Sequence, residues 1–286
     1  MKKAKLKPYI FILPALILAG LFVYYPLIKT FISSFFAISF SGKLKSFVGL
    51  ANYKALFSRS ELMHSVLVTL RFTLFFVPFN TVIILLAALL CEKERKSSPF
   101  FETVFFLPMA LSLSSTCLVF KFMFNPSLGI INSLFHLKVN WIDSPLAANF
   151  SLLTLCIFLD FGINFILFLA SLRSIEKDVV SAAVLDGANT YTLIWKIKLP
   201  LIKPTLSFII FMGIKDSFMM AVPPMILTEG GPFKETQTLI YYYYNLVFRS
   251  NSYAQGAAIS SLIFMVCLVS ITIYNAFKSK KRRFVI

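Results

Sequence analysis

The chain has 286 residues, of which 58% are hydrophobic, only 14% are charged and 33 are phenylalanine. Soluble domains carry about 25% charged residues, so this composition excludes an ordinary water-soluble domain and points to a bilayer. A net charge of +16 would direct a soluble protein towards nucleic acid, but here the positions of the basic residues account for it better.

Between Lys7 and Lys29 lie 21 uncharged residues. That run is too long for a signal-peptide core and no A-x-A site closes it, so it predicts a retained first membrane helix, kinked by Pro14 and Pro26. Residues 35–64 form a first external loop. A second span runs from about Val66 to Cys91, with Pro78 and Asn80 inside it, and a short basic loop follows at 92–99. The third span is about Phe100 to Phe124, with Pro108 in its middle. Residues 125–146 form a second external loop in which Trp141 is an interface anchor. The fourth span is about Ala147 to Leu172, the fifth about Pro204 to Leu227 and the sixth about Ala254 to Phe277. The loop at 228–253 carries a Gly-Pro turn and an interfacial belt from Tyr241 to Tyr244. Six spans in one domain, 1–286, put both termini on the same side. Seventeen Lys and Arg fall on that side, seven in the alternate loops and four in or at the ends of spans. This is the positive-inside pattern with both termini cytoplasmic.

The polar segment from Arg173 to Pro204 differs from everything around it. It holds Arg173, Glu176, Lys177, Asp178, Asp186, Lys196, Lys198 and Lys203, and it is far longer than the median connection of about 4–6 residues. Its pattern predicts two short helices. Ser174 would cap the first, with Glu176 in its first turn and an apolar stripe at Ile175, Val179 and Ala183. Asp186-Gly187 is a turn signal. Thr190 would open the second helix, Pro200 would end it and Pro204 would start the next span. Ala182, Ala183, Gly187 and Ala188 give a small surface on which another backbone can come close. A folded elbow of this kind predicts a docking site for a soluble partner.

Few groups inside the spans can carry chemistry. Asp160 interrupts the fourth span, and Lys215 and Asp216 interrupt the fifth. Each costs roughly 2.5–3.5 kcal/mol at mid-membrane. Helical spacing puts Asn164 on the face of Asp160 and turns Lys215 and Asp216 about 100° apart. The expectation is that Asp160 pairs with Lys215 across the two helices, beside a polar path lined by Asn164 and Ser217. The alternative is a pair that fixes packing and touches no solute. The sequence has no P-loop, HExxH, GxSxG or CxxC pattern, so energy must come from a partner or an ion gradient. His64 and His136 read as scattered loop residues rather than a metal site. Cys91, Cys117, Cys156 and Cys267 read as small residues of the spans, with no disulfide framework.

Four stretches resemble the permease subunits of ATP-binding cassette importers. Ala182-Ala183, Gly187 and Ile197-Lys198-Leu199-Pro200 have the spacing of that family's EAA loop, with Ser181 where the family has Glu. The first span with its LPA and YPL elements, the run Phe47 to Tyr53 (FVGLANY), and Thr228-Glu229-Gly230-Gly231-Pro232 followed by the tyrosines resemble the sugar-type permeases, specifically the first of their two paired subunits. The resemblance runs from Phe11 to about Phe264. It implies an all-α, six-helix, type I importer permease of the maltose-permease (MetI-like) kind, a non-catalytic multi-pass subunit in a bacterial cytoplasmic membrane. The 174–200 loop, through Ser181, Ala182, Ala183, Asp186, Gly187, Ala188, Ile197, Leu199 and Pro200, would sit in a cleft of an ATPase subunit. Ser181 alters the charged contact with that subunit and leaves the loop's shape. A second homologous permease would complete a path for a carbohydrate, whether sugar, oligosaccharide or polyol, delivered by an external solute-binding protein. Asp160, Asn164, Lys215, Asp216 and Ser217 are the candidate path residues. ATP and Mg would bind two partner ATPases, and this chain would bind no cofactor, metal or nucleic acid. A permease for a non-sugar solute and an ion-coupled secondary transporter are the alternatives.

Overall fold

The computed structural model describes residues 7–93, 95–96 and 98–282; Lys2, Lys3, Lys5 and Arg283 of the basic termini lie outside that range. The chain is mostly helical, as lipid requires of a backbone that must satisfy its own hydrogen bonds. In order, the elements are α1 (Lys7–Ala19), α2 (Tyr25–Ser33), the antiparallel ribbon β1 (Phe36–Ile38) and β2 (Leu44–Phe47), α3 (Ala51–Phe57), α4 (Ser60–Cys91), α5 (Ser98–Phe106), α6 (Leu113–Met123) and α7 (Ile130–Leu134). There follow α8 (Pro145–Arg173), α9 (Lys177–Leu185), α10 (Thr190–Thr192), α11 (Leu199–Leu201), α12 (Lys203–Phe218), α13 (Val222–Leu227), α14 (Leu239–Tyr244) and α15 (Tyr253–Arg282). The chain packs as two compact units, one built from residues 1–63 with 242–286 and the other from residues 64–241.

Among the described residues three helices are long and apolar enough to cross a membrane: Phe11–Ser33, Ser60–Cys91 and Pro145–Arg173. Two bent pairs, Ser98–Ala110 with Leu113–Met123 (105°) and Thr190–Leu201 with Lys203–Phe218 (74°), bring the number to five if each is one span. Tyr253–Val269 is a shorter apolar helix. The expected third span is therefore broken; the second bend falls just before the expected fifth span, which is itself broken beyond α12, and both spans carry proline at the break. Proline has no N–H and its ring clashes with the carbonyl four residues earlier. At Pro108 the helix tightens into a 3-10 turn, Leu107–Ala110, and Leu111 and Ser112 are extended before α6 begins. After α12 the chain leaves the helix over Met219–Ala221 and restarts at α13 with Pro223 and Pro224 in its first turn. Pro26 is absorbed differently: a π turn, Gly20–Tyr24, widens the ladder just before it.

In the first unit the 35–64 segment is folded rather than a plain loop. Gly49 takes a positive φ of 57°, which turns the chain from β2 into α3. Asn52 Nδ2 donates to the Ser34 and Phe36 carbonyls at 2.8 and 2.9 Å, and the Tyr53 hydroxyl lies 2.7 Å from Ser34 Oγ. The FVGLANY run is thus a clip that ties α3 to the end of α2 and the start of the ribbon. The most apolar stretch of Phe11–Ser33 buries no side chain.

The second unit holds two apolar clusters strung along α4 and α8. One gathers Phe72, Phe76, Cys117, Phe120, Phe124, Leu152, Leu155 and Leu227. Trp141, half-buried, packs against it, its Nε1 donating to Asn132 Oδ1 at 2.7 Å. The other cluster gathers Ile84, Ala88, Cys91, Phe165, Phe168, Leu172, Ile202 and Ile209. Cys91, Cys117 and Cys156 are buried free thiols. Between the clusters α8 passes the break after α5 at Gly162, where a Cβ would sit 2.9 Å from Met109 Cβ and 3.2 Å from the Phe106 carbonyl. Gly162→Val is expected to destabilise the protein by about 1–3 kcal/mol through overpacking, read as a lower melting temperature in detergent. Gly20→Ala, where a Cβ meets nothing within 4 Å, serves as the neutral control.

Candidate functional site

The elbow between α8 and α12 is folded, though its caps differ from those expected. Ser174 ends α8 and donates to the Ser171 carbonyl, while Glu176 occupies the N-cap of α9 without a side-chain bond. Gly187 takes φ +84° and makes the turn. Thr190 opens the second helix as expected, and Asn189 caps it, accepting from the Thr192 N–H at 2.8 Å. Pro200 does not end that helix. A π turn, Leu193–Lys198, accommodates it, and the chain bends instead at Ile202 before α12 begins. No residue of α9 is buried, so Ser181, Ala182 and Ala183 lie on an open helix, and Leu185 (88% exposed), Tyr191 (67%) and Trp195 (59%) are uncovered. The opposite side of the elbow is held. Lys198 Nζ reaches Glu92 Oε2 at 2.5 Å with both side chains largely buried. Arg173 bridges to Glu102 at 2.6 Å and donates to the Cys91 carbonyl at 3.0 Å.

The second feature is the interruption between α12 and α13. Asp160, Asp216, Ser217, Cys156 and Met219 to Pro223 line a pocket of about 300 Å³ there. The structure overturns the expected Asp160–Lys215 pair. Lys215 Nζ lies 2.7 Å from its neighbour Asp216. Their Cα directions diverge, but their long side chains meet. Asp160 accepts instead from Asn80 Nδ2 at 3.3 Å. Asn80 is 1% exposed, and its own Oδ1 has no partner among the described residues. Ser217 is buried and donates to the Gly213 carbonyl, and Asn164 is buried on α8 but does not line the pocket.

The 228–238 loop closes over this break. Pro224 cannot donate to the Met220 carbonyl four residues earlier; Thr238 Oγ1 donates to it at 2.6 Å in its place. The Thr228 and Thr236 hydroxyls share a hydrogen bond of 2.6 Å. Gly230, at φ +80°, lies where a Cβ would meet the Tyr241 ring at 2.8 Å. The loop is fastened to α4 by Arg71–Glu235 at 2.5 Å, by Thr69 Oγ1 accepting from the Leu239 N–H at 2.9 Å and by His64 Nε2 at 3.2 Å from the Lys234 carbonyl. Lys121 on α6 pairs with Glu229 at 2.8 Å. His64 thus sits on a helix with a partner, and His136 takes a positive φ of 51°. Tyr241 and Tyr242 are buried, not a surface belt.

The residues missed from sequence are Asn80, Glu92, Glu102, Arg71 and Glu235. Asn80 had a signal, a polar amide inside an apolar span. The others lie in loops or near span ends, where charge is ordinary and partner identity depends on folding.

The chain matches the family model described as binding-protein-dependent transport system inner membrane component over residues 57–283. It is 33% identical to the probable ABC transporter permease protein PH1215 of Pyrococcus horikoshii, over 99% of this chain and 100% of that one. It is 30% identical to the sn-glycerol-3-phosphate transport system permease protein UgpA of Escherichia coli O157:H7, over 96% of this chain and 95% of the other. Its fold matches a chain of a bacterial alginate ABC transporter solved in complex with an alginate pentasaccharide-bound periplasmic protein, with a TM-score of 0.85 at 21% identity, over 97% of this chain and 96% of that one. With its broken apolar helices and open elbow, the chain belongs to the inner-membrane components of binding-protein-dependent transport systems, the permeases of ABC transporters.

Proposed function

We propose that this permease is one half of the membrane path of a carbohydrate importer, and that a homologous second permease supplies the other half. The observation that carries the reading is the elbow, gripped on one side by Glu92 and left apolar and uncovered at Leu185, Tyr191 and Trp195 on the other. An ATPase subunit covering that face binds the ATP and Mg; this chain holds neither and catalyses nothing. Ala182, Ala183, Asp186, Gly187, Ala188, Ile197, Leu199 and Pro200 shape the surface, and Ser181 contributes a neutral hydroxyl where its resemblance implies Glu. The bent pair α5 and α6 counts as one crossing, α12 with α13 as another, and α15 is the sixth, because its sequence stays uncharged from Ala254 to Phe277. Six crossings, with the basic loops inside, place both termini in the cytoplasm. The 228–253 loop then faces outward, towards a solute-binding protein.

The substrate reading rests on the relatives and on the pocket. A glycerol phosphate and a polysaccharide are both polyhydroxylated, and both names occur among the similar proteins. Hydroxyls leaving water need hydrogen-bond partners, and an interrupted helix beside ionisable groups supplies them inside a membrane. Asp160, Asp216 and Ser217 line the pocket, Lys215 holds Asp216, and Asn164 supports the face behind.

Two outcomes follow. Leu185→Glu with Trp195→Glu is expected to lower co-purification of the ATPase subunits by at least about tenfold, since each large apolar side chain contributes about 1.5–3 kcal/mol when covered, while membrane insertion is retained. ATPase binding that is unaffected by the double change would refute the elbow reading, and no ATPase binding to the unaltered chain would favour an ion-coupled carrier. Asp160→Asn is expected to reduce initial uptake by the assembled importer about tenfold, the worth of a hydrogen bond to a charged group. Full uptake would remove Asp160 from the path.

A further inference from the structure

The elbow's grip and the loop's grip lie towards opposite ends of one helix. Near the Cys91 end, Glu92 holds Lys198 in an ion pair whose side chains are 11% and 16% exposed. Arg173 completes the grip by donating to the Cys91 and Glu92 carbonyls at 3.0 and 3.4 Å while pairing with Glu102. Of the elbow's other lysines, Lys177, Lys196 and Lys203 form no ion pair among the described residues. Further along α4, Thr69, Arg71 and His64 hold the 228–238 loop at Leu239, Glu235 and Lys234. From Thr69 to Glu92, α4 is uninterrupted up to Cys91 despite Pro78, and at 1.5 Å per residue the two grips are about 35 Å apart.

We propose that Glu92 and Lys198 form a clasp through which movement of the elbow is passed to α4, and that α4 acts as a rod carrying it to the 228–238 loop. The inference rests on the reading of the elbow as the ATPase's docking site. A clasp buried on both sides suits this task better than an exposed pair. Exposed ion pairs are weak and screened, whereas removing one member of a buried pair leaves the other charge stranded. The elbow therefore cannot slide on α4 without uncovering or stranding a charge. At the far end the loop has little freedom to absorb a shift of α4. Thr238 fixes it to the broken α12–α13 junction, and Glu229, Gly230, Phe233 and Lys234 are all in the left-handed region. Phe233, 87% exposed at its tip, would report the displacement. Lys198 is a positioning residue in this scheme; it touches neither solute nor nucleotide.

The test uses the assembled importer in lipid nanodiscs, with a spin label on Phe233→Cys in a Cys267→Ser background. Mg-ATP with vanadate is the probe, and the readouts are ATPase co-purification, ATP hydrolysis and the change in the label's spectrum on nucleotide trapping. Glu92→Gln and Lys198→Met are each expected to keep the ATPases bound and hydrolysing, yet to reduce the spectral change at least threefold. The exchange Glu92→Lys with Lys198→Glu is expected to restore it. A full spectral change in either single variant overturns the clasp while leaving the docking reading intact. Failure of the exchange to restore a lost change also overturns it, because the loss then reflects damaged packing rather than the pairing. Absence of the ATPases from the unaltered complex overturns both readings.

Discussion

The break after α12 answers to one requirement: a carbonyl robbed of its helix partner by proline must find another donor where water is scarce. The Met220 carbonyl shows how this shapes the rest. Pro224 cannot serve it, so a threonine eighteen positions later does. To deliver that hydroxyl, the chain beyond α13 must double back over the break. The tight turn at Gly230, the buried threonines and the contacts to α4 all follow from that return. The same substitution of donors allows an apolar helix to stop and restart, and where it stops a pocket flanked by aspartates opens.

Much of this was legible in the residues, for reasons that differ by element. Long apolar runs gave α8 within two residues and α4 to its exact end, because a single charge such as Arg71 or Asp160 does not outweigh the hydropathy of such a run. The elbow was legible as a folded polar insert, and Gly187 as its turn, because only glycine takes that conformation without strain. The interruptions were not. Pro78, Pro108 and Pro200 look alike on paper. One sits within an unbroken helix, one precedes a sharp bend and one is taken up by a π turn. Which occurs depends on what packs alongside, such as Gly162 letting α8 approach Met109.

Charge pairing was the least legible layer. Asp160 and Lys215 seemed made for one another because each was costly alone. The structure spends Lys215 on the carboxylate next to it and gives Asp160 an amide from a third helix. Adjacent residues diverge at Cα, yet a four-carbon side chain easily spans that divergence. The pairs that fix the elbow and the 228–238 loop join positions 71 to 164 residues apart, beyond anything helical spacing can reveal.

The uncovered Leu185, Tyr191 and Trp195 have a thermodynamic meaning for the cell as well as a mechanical one. On an elbow that stands in water, as proposed, they make the solitary subunit less comfortable than the subunit in company. If an ATPase subunit covers them as proposed, association is favoured before any nucleotide arrives.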